Sequence, residues 1–423
     1  MSGTIGSNIL SHSGTVAETA AGLNWVSDVV TASTVTVESG NGYWINTTSN
    51  ACTITLPASA EAGDNIVIVD FARTWGTNSV TLDSNGLNFQ GNADTYTVEY
   101  TTSGQSVNLI YSDSTKGWIP LEDDVVADEP AVPQTQKAIF GFGNTGTRTG
   151  VSNLVNSSGV VAADVSAVGT ARSNLAATTY GGDKAIFAFG VTQADNIVNT
   201  RNLVNNSGVI ASDATGAGTA KTNLAGVKYG LSGLALFAFG AVSGGDGQNA
   251  RNLVNSSGVV ASDASGAGTA RNALAATTYG VGLGIFRGGA DTYGMSNLVN
   301  TSGVVSADVT RVGTGRAASA GASYGTDKGI FAYGWNDSSN YNMSNLVSNT
   351  GVVAADVSGV GTARRFLAGS GYGGDKGLFG YGYTSSAVSI KNLVSNTGVV
   401  AADVSGVGTA RYAIAAAGYS YSA

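Results

Sequence analysis

The sequence predicts an all-β chain: a small N-terminal β-domain, a linker, and then six sheets of four short strands arranged in a ring. Three observations predict it. Six segments with one pattern recur between residues 137 and 423. Each consists of short β-branched and aromatic runs punctuated by Gly and Asn, without the 3.6-residue periodicity of a helical repeat. The charge balance also changes along the chain: residues 1–136 hold 15 acidic and 2 basic side chains, the remainder 13 acidic and 18 basic.

Composition narrows the chemistry. The chain has 423 residues, of which 61 are Gly, 43% are hydrophobic and 11% are charged. Hydrophobic residues run throughout, so a disordered chain is not expected. Glycine has no period of three, which excludes collagen. One Cys (Cys52) and one His (His12) exclude a disulfide framework, cysteine-cluster metal sites and most histidine-based catalysis. No metal or other cofactor is expected. Met1–Ser7 has neither a basic nor an apolar signal region. No run of 18 apolar residues is present, so no membrane insertion is expected. A net charge of −8 without a basic run argues against nucleic acid as a partner.

Residues 1–30 are rich in Ser, Gly, Thr and Ala and read as an N-terminal attachment arm. Residues 31–121 read as short strands: Gly42–Asn46, Thr53–Pro57, Asn65–Asp70, Ser79–Asp83, Tyr96–Tyr100 and Ser106–Tyr111. Cys52 falls among them as a buried strand residue. The string I-T-L-P-A-S-A-E-A-G-D-N-I-V-I-V-D-F, Ile54–Phe71, with Thr77–Gly86 and Tyr111–Trp118, resembles a β-domain of bacteriophage tail fibres and related appendages. Three of the 4 prolines and the run Glu122-Asp123-Asp124 lie in 120–136. That composition places a linker at 122–136.

From residue 137 the spacings are nearly invariant. The N-L-V asparagines are Asn153, Asn202, Asn252, Asn297, Asn345 and Asn392, and an Asp follows each by 11 residues. A basic residue follows each Asp by 8, and a Tyr follows that by 8. The length varies in one loop per unit: 144–152, 191–201, 241–251, 290–296, 335–344 and 383–391. In one unit the strands read Leu175–Tyr180, Lys184–Phe189, Asn202–Asn205 and Val209–Asp213. Gly-Gly-Asp and Asn-Ser-Gly mark the turns between them. Four strands in about 48 residues is the size of a propeller blade. The first unit lacks its first strand, and the segment Arg411–Tyr419 has that pattern. The C-terminal strand is therefore expected to complete the first blade, which pairs two free edges.

The small-residue first strand, the hairpin, and the aromatic second strand ending in Gly, as in Ile186-Phe187-Ala188-Phe189-Gly190, resemble the kelch-type β-propellers. The resemblance covers residues 137–423. The usual Gly-Gly occurs once, at Gly288-Gly289, and the fourth-strand Trp is absent. The wording N-L-V-x-x-x-G-V-V-A-x-D is similar to repeats in structural proteins of marine bacteriophages.

Candidate sites follow from the pattern. Arg172, Lys221, Arg271, Arg316, Arg364 and Arg411 each open a first strand. They are expected either to ring a channel mouth as an anion or acidic-glycan site, or to bind a backbone carbonyl or an Asp between blades. The Asp eight residues earlier is too distant to be that partner. The variable loops carry Tyr293, Trp335, Tyr341 and Tyr383. Aromatic faces beside Asn336 and Asp337 suit stacking on a sugar, and equally suit capping a neighbouring blade. Residues 137–423 contain no Glu, and the recurrent Asp residues are copies of one position, so no catalytic residue and no enzymatic activity are expected.

These resemblances imply a bacteriophage virion protein on the particle surface, a tail fibre or similar appendage. Residues 1–121 would attach it to other virion proteins, and the propeller would bind a host-surface glycan or protein. A homo-oligomer such as a trimer is compatible with that role. The alternatives are a capsid or tail decoration protein whose propeller packs on other virion proteins, and a glycan-degrading tail enzyme.

Overall fold

The computed structural model describes residues 9–12, 15–18, 23–92, 98–122, 134–290 and 294–423. Among them the chain is all-β, with no helix. It divides into two compact units, residues 1–130 and 131–423.

In the N-terminal unit the strands from Asn24–Trp25 to Val80–Asp83 alternate between two sheets. One sheet pairs Asn24–Trp25, Asn41–Ile45 and Asn65–Asp70 in parallel, then adds Ser106–Tyr111 and Trp118–Glu122 antiparallel. The other pairs Thr34–Thr36, Cys52–Thr55 and Val80–Asp83 in parallel, then adds Val98–Tyr100. The alternation of apolar and polar residues drives this. In Asn65–Asp70, Ile66 and Ile68 are buried while Val67 and Val69 are partly exposed. They meet Ile45, Ile54, Leu82, Leu109, Trp75 and Trp118 in one core. Cys52 is buried in this core, and burial raises its thiol above the ordinary value. The expected strands are present; of Tyr96–Tyr100, the part Val98–Tyr100 is a strand and 96–97 lie outside the described residues. The linker at 122–136 lies largely outside them; of the arm at 1–30, residues 9–12, 15–18 and 23–30 are described, and they include the antiparallel pair Ile9–His12 and Thr15–Glu18 and the sheet strand Asn24–Trp25.

Residues 134–423 form six antiparallel sheets, I to VI. Sheet II is Ala176–Tyr180, Lys184–Ala188 and Thr200–Val204. Sheets III to VI repeat it, with first strands at Ala225–Tyr229, Leu274–Tyr279, Ala320–Tyr324 and Ala368–Tyr372. Sheet I joins Lys137–Gly141 and Ser152–Val155 to Ala415–Tyr419, with Lys137 opposite Tyr419 and Gly141 opposite Ala415.

Two cycles of backbone hydrogen bonds link the sheets. At one end Asn174 N donates to Ala413 O, Asn223 to Asn174, Ala273 to Asn223, Ala318 to Ala273, Phe366 to Ala318 and Ala413 to Phe366, each at 2.8–2.9 Å. All six donors have positive φ, 48–56°, which turns each N–H toward its neighbour. At the other end the hairpins do the same. Gly181, Gly230, Gly280, Gly325, Gly373 and Ser420 donate to Gly233, Gly282, Asp327, Asp375, Gln136 and Asp183.

The fourth strand of each unit is not continuous. Val204 bridges Ile210, and Arg201 pairs with Ala214, but the residues between leave the ladder. The Asn202 amide occupies their acceptors instead, donating to Ala211 O at 3.0 Å and to Asp213 at 2.9 Å. A buried side chain thus competes with strand pairing.

A chain ending at Thr409 would lose Arg411 and the strand Ala415–Tyr419, exposing the edge of Lys137–Gly141. Its melting temperature, followed by circular dichroism, should fall by more than about 10 °C relative to the full chain. Equal melting of the two would exclude a stabilising role for this pairing.

Candidate functional site

The six recurrent cations do not face a channel mouth. They are buried between sheets, Arg172, Arg364 and Arg411 at 0% exposure. In sheet II, Arg172 Nε donates to Phe189 O at 2.9 Å, Nη1 to Thr170 O at 3.2 Å and Nη2 to Asn202 Oδ1 at 2.5 Å. Nη1 lies 3.7 Å from Asp213 Oδ1. The guanidinium also sits 4.3 Å from the ring centroid of Phe142 in sheet I. Asp213 in turn accepts from the backbone N and the Oγ1 of Thr170, at 2.9 and 2.6 Å. Gly169 has φ +77°, and a Cβ there would stand 2.3 Å from Asp213 Oδ1, so the turn requires glycine.

The same clasp recurs in every sheet: Lys221 with Asp263, Arg271 with Asp308, Arg316 with Asp356, Arg364 with Asp403 and Arg411 with Asp164. Of the two roles expected for these cations, pairing with an Asp is present in all six, and bonding to backbone carbonyls in Arg172, Arg271, Arg364 and Arg411. The side chain of an extended segment that enters each sheet points into the seam, so no guanidinium is left for a solvent anion.

Burial alone would raise the six Asp carboxyls. Hydrogen bonds from the Thr hydroxyl, the Asn amide and the Thr N–H outweigh it, with the neighbouring cation, and hold all six below the ordinary 3.8. Burial lowers Arg172 to about 10. Because the folded carboxyls titrate below the unfolded ones, their contribution is complete above about pH 4 and is lost as pH falls through the folded values. Asp213→Ala should cost about 2–4 kcal/mol at pH 7, by leaving Arg172 buried without its carboxylate. The difference from the parent, measured by urea unfolding, should narrow below pH 3.

The variable loops emerge at the end of the sheets where the connecting segments pass. Asn199, for example, donates from its amide to Gly216 O and Gly218 O at 2.9 and 3.0 Å. Trp335–Asn336 forms a small hairpin with Ser339–Asn340. Asn336 shapes its turn, accepting from Ser338 and Ser339, and donates to the Tyr341 hydroxyl at 2.8 Å. Asp337 is exposed at the tip. Tyr293 lies outside the described residues. Trp335 and Tyr383 are both half-buried, and Arg365 brings them together: its guanidinium carbon lies 4.5 Å from the Trp335 ring centroid and 5.4 Å from that of Tyr383. Tyr383 meets Tyr412 edge to face at 4.9 Å, and Phe366 lies 6.3 Å from Tyr412.

Sequence reasoning missed Arg365, Phe366 and Tyr412. The available signal was their residue type. The position after the seam cation is Ser173, Thr222, Asn272 or Ala317 in sheets II to V, and Arg365 or Tyr412 in VI and I.

The first strands line a central cavity of about 150 Å³ walled by Ala, Gly, Ser and Thr. One ammonium enters it: Lys228 Nζ donates to Gln134 Oε1 at 2.9 Å. Burial lowers this lysine from 10.5 to about 8. The unfolded chain therefore holds that proton more tightly, and stability rises with pH between 8 and 10.5. Lys228→Met should be more stable than the parent by about 1–2 kcal/mol at pH 7. The gap, followed by thermal unfolding, should close near pH 10.5.

No protein-family model matches the chain, and no curated protein matches it.

Proposed function

We propose that the chain is a non-enzymatic bacteriophage virion protein on the particle surface, a tail fibre or similar appendage. In this reading residues 137–423 are a six-bladed kelch-like β-propeller closed by the C-terminal strand. Residues 31–121 are a phage-fibre-type domain that attaches it to other virion proteins. The propeller binds a host-surface glycan or protein.

The observation that carries the binding role is the asymmetry of the loop face. Six sheets share one polar clasp, whereas among the described residues the aromatic side chains Trp335, Tyr383 and Tyr412 gather at sheets V, VI and I. Binding residues commonly sit on loops held by a rigid scaffold. A structural repeat needs no such gathering, because the described residues of the other three sheets do without it.

A second reading, a decoration protein packed on other virion proteins, is favoured by a different feature. The outer edges expose a valine at the same position in all six sheets, Val160, Val209, Val259, Val304, Val352 and Val399, at 49–65% exposure. Repeated exposed apolar side chains suit a broad protein contact.

Trp335→Ala and Tyr341→Ala separate the two. On the appendage reading, particles carrying either variant adsorb to host cells at a rate reduced several-fold, while the melting temperature stays within about 2 °C. Normal adsorption by both, with immunogold labelling placing the chain on the capsid lattice, overturns the host-binding role in favour of decoration.

A further inference from the structure

The Arg365 guanidinium differs from the other arginines of the loop face. Arg148, on the loop of sheet I, is fully occupied. It ion-pairs with Asp195 at 2.7 Å and donates to Thr192 O and Ser173 Oγ. Arg364, its immediate neighbour, is spent on Tyr381 O, Thr362 O and Asn392. The Arg365 side chain has no hydrogen bond and no ion pair among the described residues, and its Nε is a buried donor without a partner. Its contacts are ring faces: Trp335 on one side, Tyr383 on another, with Phe366 at 5.8 Å.

The cluster is held rigidly from behind. Arg365 N donates to Tyr383 O at 3.1 Å, and Tyr383 N returns a bond to Arg365 O at 2.8 Å. Trp335 is fixed in the same way against Ala317. The Asn340 amide ties the Trp335 hairpin to the Tyr383 loop through Thr384 O at 3.2 Å, leaving its own Oδ1 as a second buried atom without a partner. Two unsatisfied polar atoms, a donor and an acceptor, thus lie within one wall of aromatic rings. Unsatisfied buried groups are costly, and a cluster that retains them is suited to completion by a ligand.

The chemistry of that ligand follows from the groups. A guanidinium with open N–H groups takes a planar carboxylate in a two-point contact. Rings flanking it take the apolar face of a pyranose. We propose that Arg365, framed by Trp335 and Tyr383, is the anchor of a subsite for a carboxylated sugar in an acidic glycan. This rests on the host-surface binding role above and names the class of receptor it would meet.

The test uses the full chain and isothermal titration with 3′-sialyllactose, digalacturonic acid and neutral lactose. The parent should bind at least one acidic probe tenfold or more tightly than lactose. Arg365→Gln should remove that preference, weakening acidic-probe binding about tenfold while leaving lactose binding and the melting temperature unchanged. Arg365→Lys, which keeps the charge without the planar fork, should recover part of it. Trp335→Ala should weaken all sugars. Retention of the preference by Arg365→Gln, equal binding of acidic and neutral probes, or no binding of either acidic probe overturns the subsite. In each case, adsorption that still depends on Trp335 would leave the host-binding role standing, whereas failure of the parent chain to compete with particles for host cells would remove that role itself.

Discussion

Six times in this chain a threonine and a cation from one connecting segment close on an asparagine and an aspartate of the following sheet. That clasp sets most of what surrounds it. It fixes the 11-residue spacing from Asn to Asp, because both must reach one guanidinium or ammonium. It demands glycine three residues before the cation, where a Cβ would displace the carboxylate. It also breaks the fourth strand, since the Asn amide takes carbonyls that a strand partner would otherwise use. A burial cost for each cation is unavoidable, and only full hydrogen bonding of the carboxylate and the asparagine offsets it.

Aromatic residues seat the clasp from the other side of each seam. Phe142, Phe189, Phe239, Tyr333 and Tyr381 all hold φ of 63–66°, a conformation that costs of order 1 kcal/mol for a bulky residue. Each is retained because its ring meets both the next cation and the next sheet's Phe, as Phe142 does with Arg172 and Phe187. Sheet IV is the exception. Gly288 occupies the position without strain, and Arg287 fills the vacated volume, donating to Asn345 at 2.7 Å beneath Phe331. Two guanidinium groups then share Asn345 Oδ1, and Arg316 keeps its ion pair to Asp356 at 3.6 Å but has no hydrogen bond at Nε or Nη1. The solitary Gly-Gly in the sequence marks this altered seam.

What could be read from the sequence was what repeats. The all-β class, the strand positions of the six sheets and the role of Arg411–Tyr419 as a first strand follow from spacings that a rigid clasp keeps constant. The partner of each cation was half legible. An Asp between blades was expected, but its place in the following unit depends on which way an extended segment turns its side chains. The parallel pairing of the N-terminal strands left no mark, because short alternating strands read alike whichever neighbour they choose. Arg365 and Tyr412 were hidden by the repeat itself: beside a recurrent cation they looked like variation in a structural motif, and only the positions of Trp335 and Tyr383 in space reveal them as a group.

Sheet I draws its first strand from one end of this region and its other two from the opposite end. During translation, Lys137–Gly141 leaves the ribosome almost a whole domain ahead of Ala415–Tyr419. Until Ala415–Tyr419 emerges, the nascent chain carries the unpaired edge of Lys137–Gly141, able to pair with the matching strand of a neighbouring nascent chain on the same message. Emergence of Ala415–Tyr419 is thus the step that decides between self-pairing and exchange with another copy, and slow elongation before it would favour entangled products.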